Sequence, residues 1–309
     1  RAITLVESVK DEHKVLAEKL IEKCLPHSGN STRVGITGVP GVGKSSFIET
    51  FGQLLVEKGK KLAVLTVDPS SEISKGSILG DKTRMEKLSS MKNVFIRPSP
   101  SAGHLGGVAR RTREAIILCE AAGYDFILVE TVGVGQSETA VYHLTDFFLL
   151  LMLTGAGDEL QGIKRGIMEM ADALLITKAD GENVLKANMA KAEYARAMHF
   201  LPPHPSGWIP KVQTCSSLTG EGIEGLFEIV EEFLRHSQLK NHFNVKRQNQ
   251  NLYWFNKTLQ ESLLSSFMKN PAIQLELKSL YNLVLNNKTS PHAAANSLVK
   301  RFIPIAHTN

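Results

Sequence analysis

Along the first three quarters of the chain, short apolar runs alternate with longer stretches in which apolar residues return every three or four positions. The runs read as strands at Val34–Ile36, Leu62–Val67, Val94–Ile96, Phe126–Val129, Phe147–Leu153, Ala173–Thr177 and Ile209–Thr214. Runs that are apolar throughout, rather than alternating, belong to strands covered on both faces. Helix-period stretches between them supply the crossovers of a parallel sheet, so the pattern predicts an open α/β fold. A ligand of such a fold sits at the carboxyl ends of its strands.

The two ends of the chain read differently. Ile3 to Leu25 carries Leu5, Val9, Leu16 and Leu20 at helical spacing, and Pro26, Ser28 and Gly29 end that helix. Beyond Ser237 the pattern turns polar, with Asn and Gln clustered from Asn241 to Asn251. Helices are then expected at Leu252–Phe267, Ile273–Leu285 and Pro291–Phe302, separated by turns at Asn270-Pro271 and Ser290-Pro291. The expected organisation is an N-terminal helical extension (1–30), a main α/β domain (31–238) and a C-terminal helical arm (239–309). The arm has too little apolar surface for a confident core of its own. It is expected to pack on the main domain or on a second copy of the chain.

Composition changes this picture little. Of 309 residues, 42% are hydrophobic and 22% charged, ordinary values for a water-soluble globular chain. The net charge of +5 is compatible with a bound polyanion or with a solvated surface. The basic residues are scattered, with no long Lys/Arg block, so no nucleic-acid partner is expected. Cys24, Cys119 and Cys215 are far apart and form no CxxC pair, which argues for a reducing compartment and against a disulfide or zinc framework. No apolar run reaches bilayer length, and no membrane partner is expected. No signal peptide is visible and the first residue is Arg1. The expected location is cytoplasmic, with the mitochondrial matrix as the alternative if an upstream targeting peptide has been removed.

Chemistry enters after the first strand. Gly38-Val39-Pro40-Gly41-Val42-Gly43-Lys44-Ser45 fits G-x-x-x-x-G-K-[ST] at every fixed position. Its glycines let backbone N–H groups curl around phosphate oxygens, and the helix that follows adds its dipole. Lys44 is placed to reach the β- and γ-phosphates. Ser45 is placed to ligate Mg²⁺, and Ser46 beside it joins the expected nucleotide contacts. The fold is therefore expected to be a P-loop NTPase with a mostly parallel central sheet flanked by helices.

Three further segments follow strands. Asp68 stands just after Leu62–Val67, either as a carboxylate at the ligand edge or as a turn or cap aspartate. Glu130 ends the next strand but one, and Gly133 follows it at the spacing of the Asp-x-x-Gly of GTPases. An acidic residue there holds Mg²⁺ directly or through water, and Gly133 can offer its N–H to a γ-phosphate. No Gln directly follows Gly133, so unaided hydrolysis is expected to be slow. Thr177-Lys178-Ala179-Asp180 is similar to the Asn-Lys-x-Asp base-reading loop, with Thr in place of Asn. The Asp180 carboxylate can accept from guanine N1–H and the 2-amino group. Adenine would leave it unpaired. The stem of Lys178 can cover the base. Cys215-Ser216-Ser217 ends the last strand before Leu218, and there GTPases place a loop that contacts guanine through backbone N–H groups, so Ser216, Ser217 and Leu218 join the expected nucleotide contacts. The set favours GTP, or its product GDP, over adenine nucleotides.

In this order the motifs resemble the methylmalonyl-CoA mutase-associated GTPases. That family comprises bacterial mutase chaperones, their mitochondrial counterparts and proteins once labelled arginine/ornithine transport kinases. The resemblance rests on Gly35–Ser45 (GITGVPGVGKS), Val67–Met85 (VDPSSEISKGSILGDKTRM), Ile96–Arg110 (IRPSPSAGHLGGVAR), Val129–Glu138 (VETVGVGQSE) and Thr154–Lys164 (TGAGDELQGIK). It covers residues 1–238 well and the tail less well. It implies that Asp81 joins Asp68 and Glu130 around Mg²⁺, although Asp81 and Asp158 on their own read as ordinary loop acids. It implies a first switch after Asp68, a second at Glu130–Glu138, and a third at Thr154–Lys164 whose charged members are Asp158 and Lys164. Lys44, Asp81, Glu130 and Lys164 are then the residues expected to serve hydrolysis. It further implies a homodimer built on the C-terminal helices and an adenosylcobalamin-dependent acyl-CoA mutase as client, with cofactor loading gated by GTP. No cobalamin site is expected on this chain. Thr177, His104 and Glu72–Lys75 depart from the family pattern. Other readings are a nickel-insertion metallochaperone GTPase, for which paired Cys or His ligands are missing, and a protein kinase of an amino-acid transport system.

Overall fold

The computed structural model describes residues 1–8, 10–67, 85–97, 105–131, 137–155 and 165–302. In chain order the elements are α1 (Ala2–Val6), α2 (Asp11–Cys24), β1 (Thr32–Gly38), α3 (Lys44–Glu57), β2 (Leu62–Val67), α4 (Glu86–Ser89) and β3 (Val94–Arg97). They continue with α5 (Leu105–Ala121), β4 (Phe126–Thr131), α6 (Ser137–Tyr142), β5 (Phe147–Met152), α7 (Arg165–Met170) and β6 (Ala173–Ile176). The last are α8 (Val184–Met198), β7 (Lys211–Thr214), α9 (Ile223–Leu239), α10 (His242–Lys269), α11 (Pro271–Leu285) and α12 (Pro291–Phe302).

All seven expected strands form, in one sheet of order β3-β2-β4-β1-β5-β6-β7. Every pairing is parallel. β2, β4 and β5 are buried at every position, as unbroken apolar runs require. Alternate residues serve opposite layers. Phe147, Leu149 and Leu151 of β5 pack with α3 and α9 residues such as Phe47, Phe51 and Phe233. Leu150 and Met152 pack on the other face with Met168, Ala187 and Tyr194 from α7 and α8. Gly35 lets α6 lie close on β1, since a Cβ there would meet Val141 Cγ1 at 2.8 Å and Thr145 Oγ1 at 2.7 Å.

Three boundaries differ from the expectation. The N-terminal helix is two helices, because Ser8 offers its hydroxyl to the chain: its Oγ accepts from Lys10 N–H at 3.3 Å and lies 2.7 Å from His13 Nδ1. β7 begins at Lys211, since Pro210 has no N–H to pair and Ile209 faces solvent. The third difference is the largest. The Asn/Gln-rich stretch is helical from His242.

Its Asn residues are exposed, while Lys246 and Gln250 are buried and Arg247 half-buried against the amino-terminal edge of the sheet. Lys246 Nζ donates to Asp146 O at 2.6 Å, and Gln250 Nε2 donates to Thr145 O at 2.8 Å. The Arg247 guanidinium grips the Asp146 carboxylate with two bonds of 2.8 and 2.7 Å and also donates to the carbonyls of Gly29 and Ser31. Asp146 also accepts from Arg33 N–H at 2.9 Å. Beside it, Glu120 receives the Arg33 guanidinium at 2.8 and 2.9 Å. Farther along this edge, Asp172 accepts from Phe148 N–H at 2.8 Å and faces His204 Nε2 at 3.1 Å.

The chain divides into two compact units, Arg1–Asn251 and Leu252–Asn309. In the second, Asn270 caps α11 by accepting from Ala272 N–H at 3.0 Å, and Arg301 pairs with Glu276 at 2.7 Å. No helix among the described residues is long and apolar enough to cross a membrane.

Burial alone would raise the Asp146 carboxyl, but the Arg247 hydrogen bonds and charge, with Arg33, hold it below the usual aspartate range. The stability it contributes is therefore present above about pH 3.9, the unfolded value, and is lost as pH falls through the folded one. Arg247→Ala strands that carboxylate in the interior. Urea unfolding at pH 7 is expected to show a loss of about 3–5 kcal/mol. Acid unfolding followed by circular dichroism is expected to begin at a higher pH than in the parent.

Candidate nucleotide site

The loop from β1 to α3 depends on glycine at two points. A Cβ on Gly38 would lie 2.6 Å from the Leu151 carbonyl oxygen of the neighbouring strand. Gly43 caps α3 in a left-handed conformation at φ +95°. Lys44, the first residue of the helix, is buried and folds back on the loop. Its Nζ donates to Gly38 O at 2.8 Å and Val39 O at 3.2 Å. An ammonium carries three donors, so one is left for an incoming oxygen. Burial lowers the Lys44 pKa, while the carboxylates of Glu130 and Glu138 hold it up. Glu130 is buried near the end of β4, in register with Ile36 of β1 and Thr66 of β2. Ser45 is half-buried in the first turn of α3.

The Thr177–Asp180 loop follows β6 and is bonded to the phosphate loop. Thr177 Oγ1 donates to Val42 O at 2.7 Å. The residue that departs from the usual Asn thus supplies a hydroxyl that ties the two loops. Lys178 is in a left-handed conformation at φ +56°. Its Cε would stand 4.0 Å from a Cβ on Gly43, so its stem borders the phosphate loop. Asp180 Oδ2 accepts from Ser216 Oγ at 2.5 Å. That same hydroxyl oxygen accepts from Leu218 N–H at 3.1 Å and Thr219 N–H at 3.2 Å. Ser216 is fully buried, so it orients Asp180 and the turn together. From α3, Thr50 Oγ1 donates to Ser217 O at 3.0 Å.

These loops enclose one cavity of about 260 Å³. Val42, Gly43 and Ser46 form one side, Thr177, Lys178 and Asp180 another, and Ser217 with Leu218 the third. The structure thus brings together residues from three separate strand ends. Asp68, Asp81, Gly133, Asp158 and Lys164 lie outside the described residues, as do His104 and Glu72–Lys75. Sequence reasoning did not anticipate Thr50 or Asn183, which the loops use for their internal bonds. Their only signal is a hydroxyl or amide on a helix turn next to a motif, too common to select.

Among the described residues, no group of three or more His, Cys, Asp or Glu is placed to hold a metal ion. The described donors at the phosphate end, the Ser45 hydroxyl and the Glu130 carboxylate, are hard oxygens of the kind Mg²⁺ takes. Cys119 and Cys215 are buried thiols pushed up to about 12 by burial, which makes them packing residues rather than nucleophiles.

A parallel sheet with this loop at the end of its central strand, and an Asp-bearing loop bonded across it, defines the class: a P-loop GTPase. The family model described as "Methylmalonyl Co-A mutase-associated GTPase MeaB" matches residues 1–272, and the chain belongs to that family. It is similar to GTPase ArgK of Escherichia coli, with 44% identity over 298 residues, covering 96% of this chain and 90% of the relative. It is 47% identical over 311 residues to the mouse protein "Methylmalonic aciduria type A homolog, mitochondrial", covering 97% of this chain and 75% of that one. A crystal structure described as an LAO/AO transport system kinase superposes with a TM-score of 0.78 at 38% identity, covering 98% of this chain and 92% of that chain. Like its relatives, the chain is a GTP-hydrolysing enzyme.

Thr177→Val keeps the side chain's shape and removes the hydroxyl, leaving the Val42 carbonyl without that donor. Denaturant unfolding is expected to show a loss of about 1–3 kcal/mol.

Proposed function

We propose that this chain binds GTP with Mg²⁺ in this cavity and serves as a switch and chaperone for an adenosylcobalamin-dependent acyl-CoA mutase. The observation that carries the nucleotide part is the bonding of the two loops. The Thr177–Val42 hydrogen bond sets Asp180, already oriented by Ser216, across one cavity from the Lys44 loop. A guanine nucleotide fits that spacing of chemistry, with its phosphates on the N–H groups of Gly38–Ser46 and its N1–H and 2-amino group on Asp180.

In the proposed reaction a water oxygen attacks the γ-phosphorus and the bond to the β–γ bridging oxygen breaks, releasing GDP and phosphate. The Lys44 ammonium stabilises charge on the transferring oxygens. Mg²⁺, when bound, neutralises charge on the β- and γ-phosphates, and Ser45 and Glu130, with Asp68 and Asp81, would hold it. No Gln directly follows Gly133, so the client is proposed to complete the site, with Lys164 in the segment that senses it.

The partner rests on names. The family model is described as mutase-associated, and the mouse relative is named for methylmalonic aciduria. A homodimer through the C-terminal helices is proposed as well. Leu252, Phe255, Leu259 and Leu263 are exposed on α10 at spacings of three and four, one apolar stripe. Sedimentation equilibrium is expected to give twice the chain mass.

Two experiments test the reading. Asp180→Asn turns an acceptor into a donor facing the purine 2-position. Calorimetry is expected to show a roughly 100-fold loss of GDP affinity and a gain for xanthosine diphosphate. GTP turnover measured with and without the mutase is expected to rise when it is present. A mutase that neither binds nor accelerates hydrolysis overturns the partner, leaving the nucleotide site intact.

A further inference from the structure

The base-reading loop is held from outside the motif by one side chain that also reaches the exit of the central sheet. Lys178 sits at φ +56°, a conformation that L residues other than Asn and Asp adopt at some cost. Asn183, at the end of the short helical turn that follows the loop, clamps it twice. Its Nδ2 donates to Lys178 O at 2.6 Å, and its backbone N–H donates to Asp180 O at 2.9 Å. The remaining amide oxygen, Oδ1, accepts from Thr154 Oγ1 at 3.1 Å. Thr154 is the second residue after β5, where the chain leaves the sheet, and Gly155 follows at φ +100°.

The orientation of the amide follows from its partners. Turned over, Oδ1 would face the Lys178 carbonyl, two acceptors against each other, so only the stated orientation satisfies both contacts. Asn183 is half-buried and lies outside the lining of the cavity. It touches no nucleotide atom by this geometry and acts through Lys178 and Asp180.

We propose that Asn183 is a positioning residue for purine recognition, which ties the geometry of Lys178 and Asp180 to the position of Thr154 just beyond β5. The proposal rests on Asp180 reading guanine. The coupling runs both ways by linkage: whatever shifts Thr154 alters guanine affinity, and bound guanine alters the hold on Thr154 by the same factor. The bond that carries it is a single side-chain amide, so the expected effect is a moderate one on binding and none on the chemical step.

The experiment uses the full chain and three variants, Asn183→Ala, Thr154→Val and the double variant. It measures dissociation constants for GDP, for inosine diphosphate, which lacks the 2-amino group, and for ADP, together with KM and kcat for GTP. Asn183→Ala is expected to weaken GDP by about five- to tenfold and to narrow the GDP-to-inosine ratio, raising KM with kcat unchanged. Thr154→Val is expected to weaken GDP about two- to threefold. In the double variant that second loss is expected to vanish, since Thr154 acts only through Asn183. A merely structural asparagine would lower the melting temperature and leave the GDP-to-inosine ratio alone, and that result overturns the proposal. Additive losses in the double variant overturn the coupling to Thr154. Equal affinity of the parent chain for GDP and ADP overturns the guanine reading itself, and is seen before any variant is made.

Discussion

The pairing of β1 between β4 and β5, in a sheet covered by helices on both sides, leaves that strand no free edge and no wet face. Its middle residues, Val34 and Ile36, are wholly buried and can carry only packing. A buried backbone must pair its polar groups, and here the parallel neighbours use them all along the strand. Polar chemistry is thereby confined to the two ends of the sheet, and each end uses the confinement differently.

At the carboxyl ends the loops after β1, β6 and β7 meet, joined by hydroxyls. Thr177 binds the phosphate loop, Ser216 binds Asp180, and Thr50 binds the loop of Ser217. Each is a short, stiff link with one proton to give. Together these links hold the three loops around one cavity of about 260 Å³. At the amino ends the chemistry is ionic. Asp146 and Glu120 are buried carboxylates matched by Arg247 and Arg33. They attach the first turns of α10, up to Asn251, and α5 beneath the strands of the sheet. Such buried pairs add little net stability over an apolar equivalent, but they are costly to break singly, so they specify where the helix docks.

Much of the site was legible beforehand because P-loop chemistry is local. Eight consecutive residues supply the turn, the ammonium and the hydroxyl, and the need for glycine at Gly38 and Gly43 is written in the backbone itself. The Asp180 loop was legible for the same reason, since four consecutive residues after one strand carry it. The Thr177 departure was not interpretable alone. Its hydroxyl has meaning only when the Val42 carbonyl is 2.7 Å away, 135 residues distant in sequence. Asn183 was invisible for a related reason: nothing in an Asn at a helix start points to Lys178 or Thr154.

By itself the sequence determined the seven parallel strands, the phosphate loop and the loop that carries Asp180, because unbroken apolar runs and short-range backbone requirements admit few alternatives. Tertiary structure alone decided the fate of the Asn- and Gln-rich stretch at 241–251. Its Asn residues face solvent along a helix. Lys246, Arg247 and Gln250 instead bury their donors against carbonyls and a carboxylate that the sheet's lower edge presents. The physical reason is that a donor's burial is acceptable only where an acceptor waits, and the acceptor's position is a property of the folded chain.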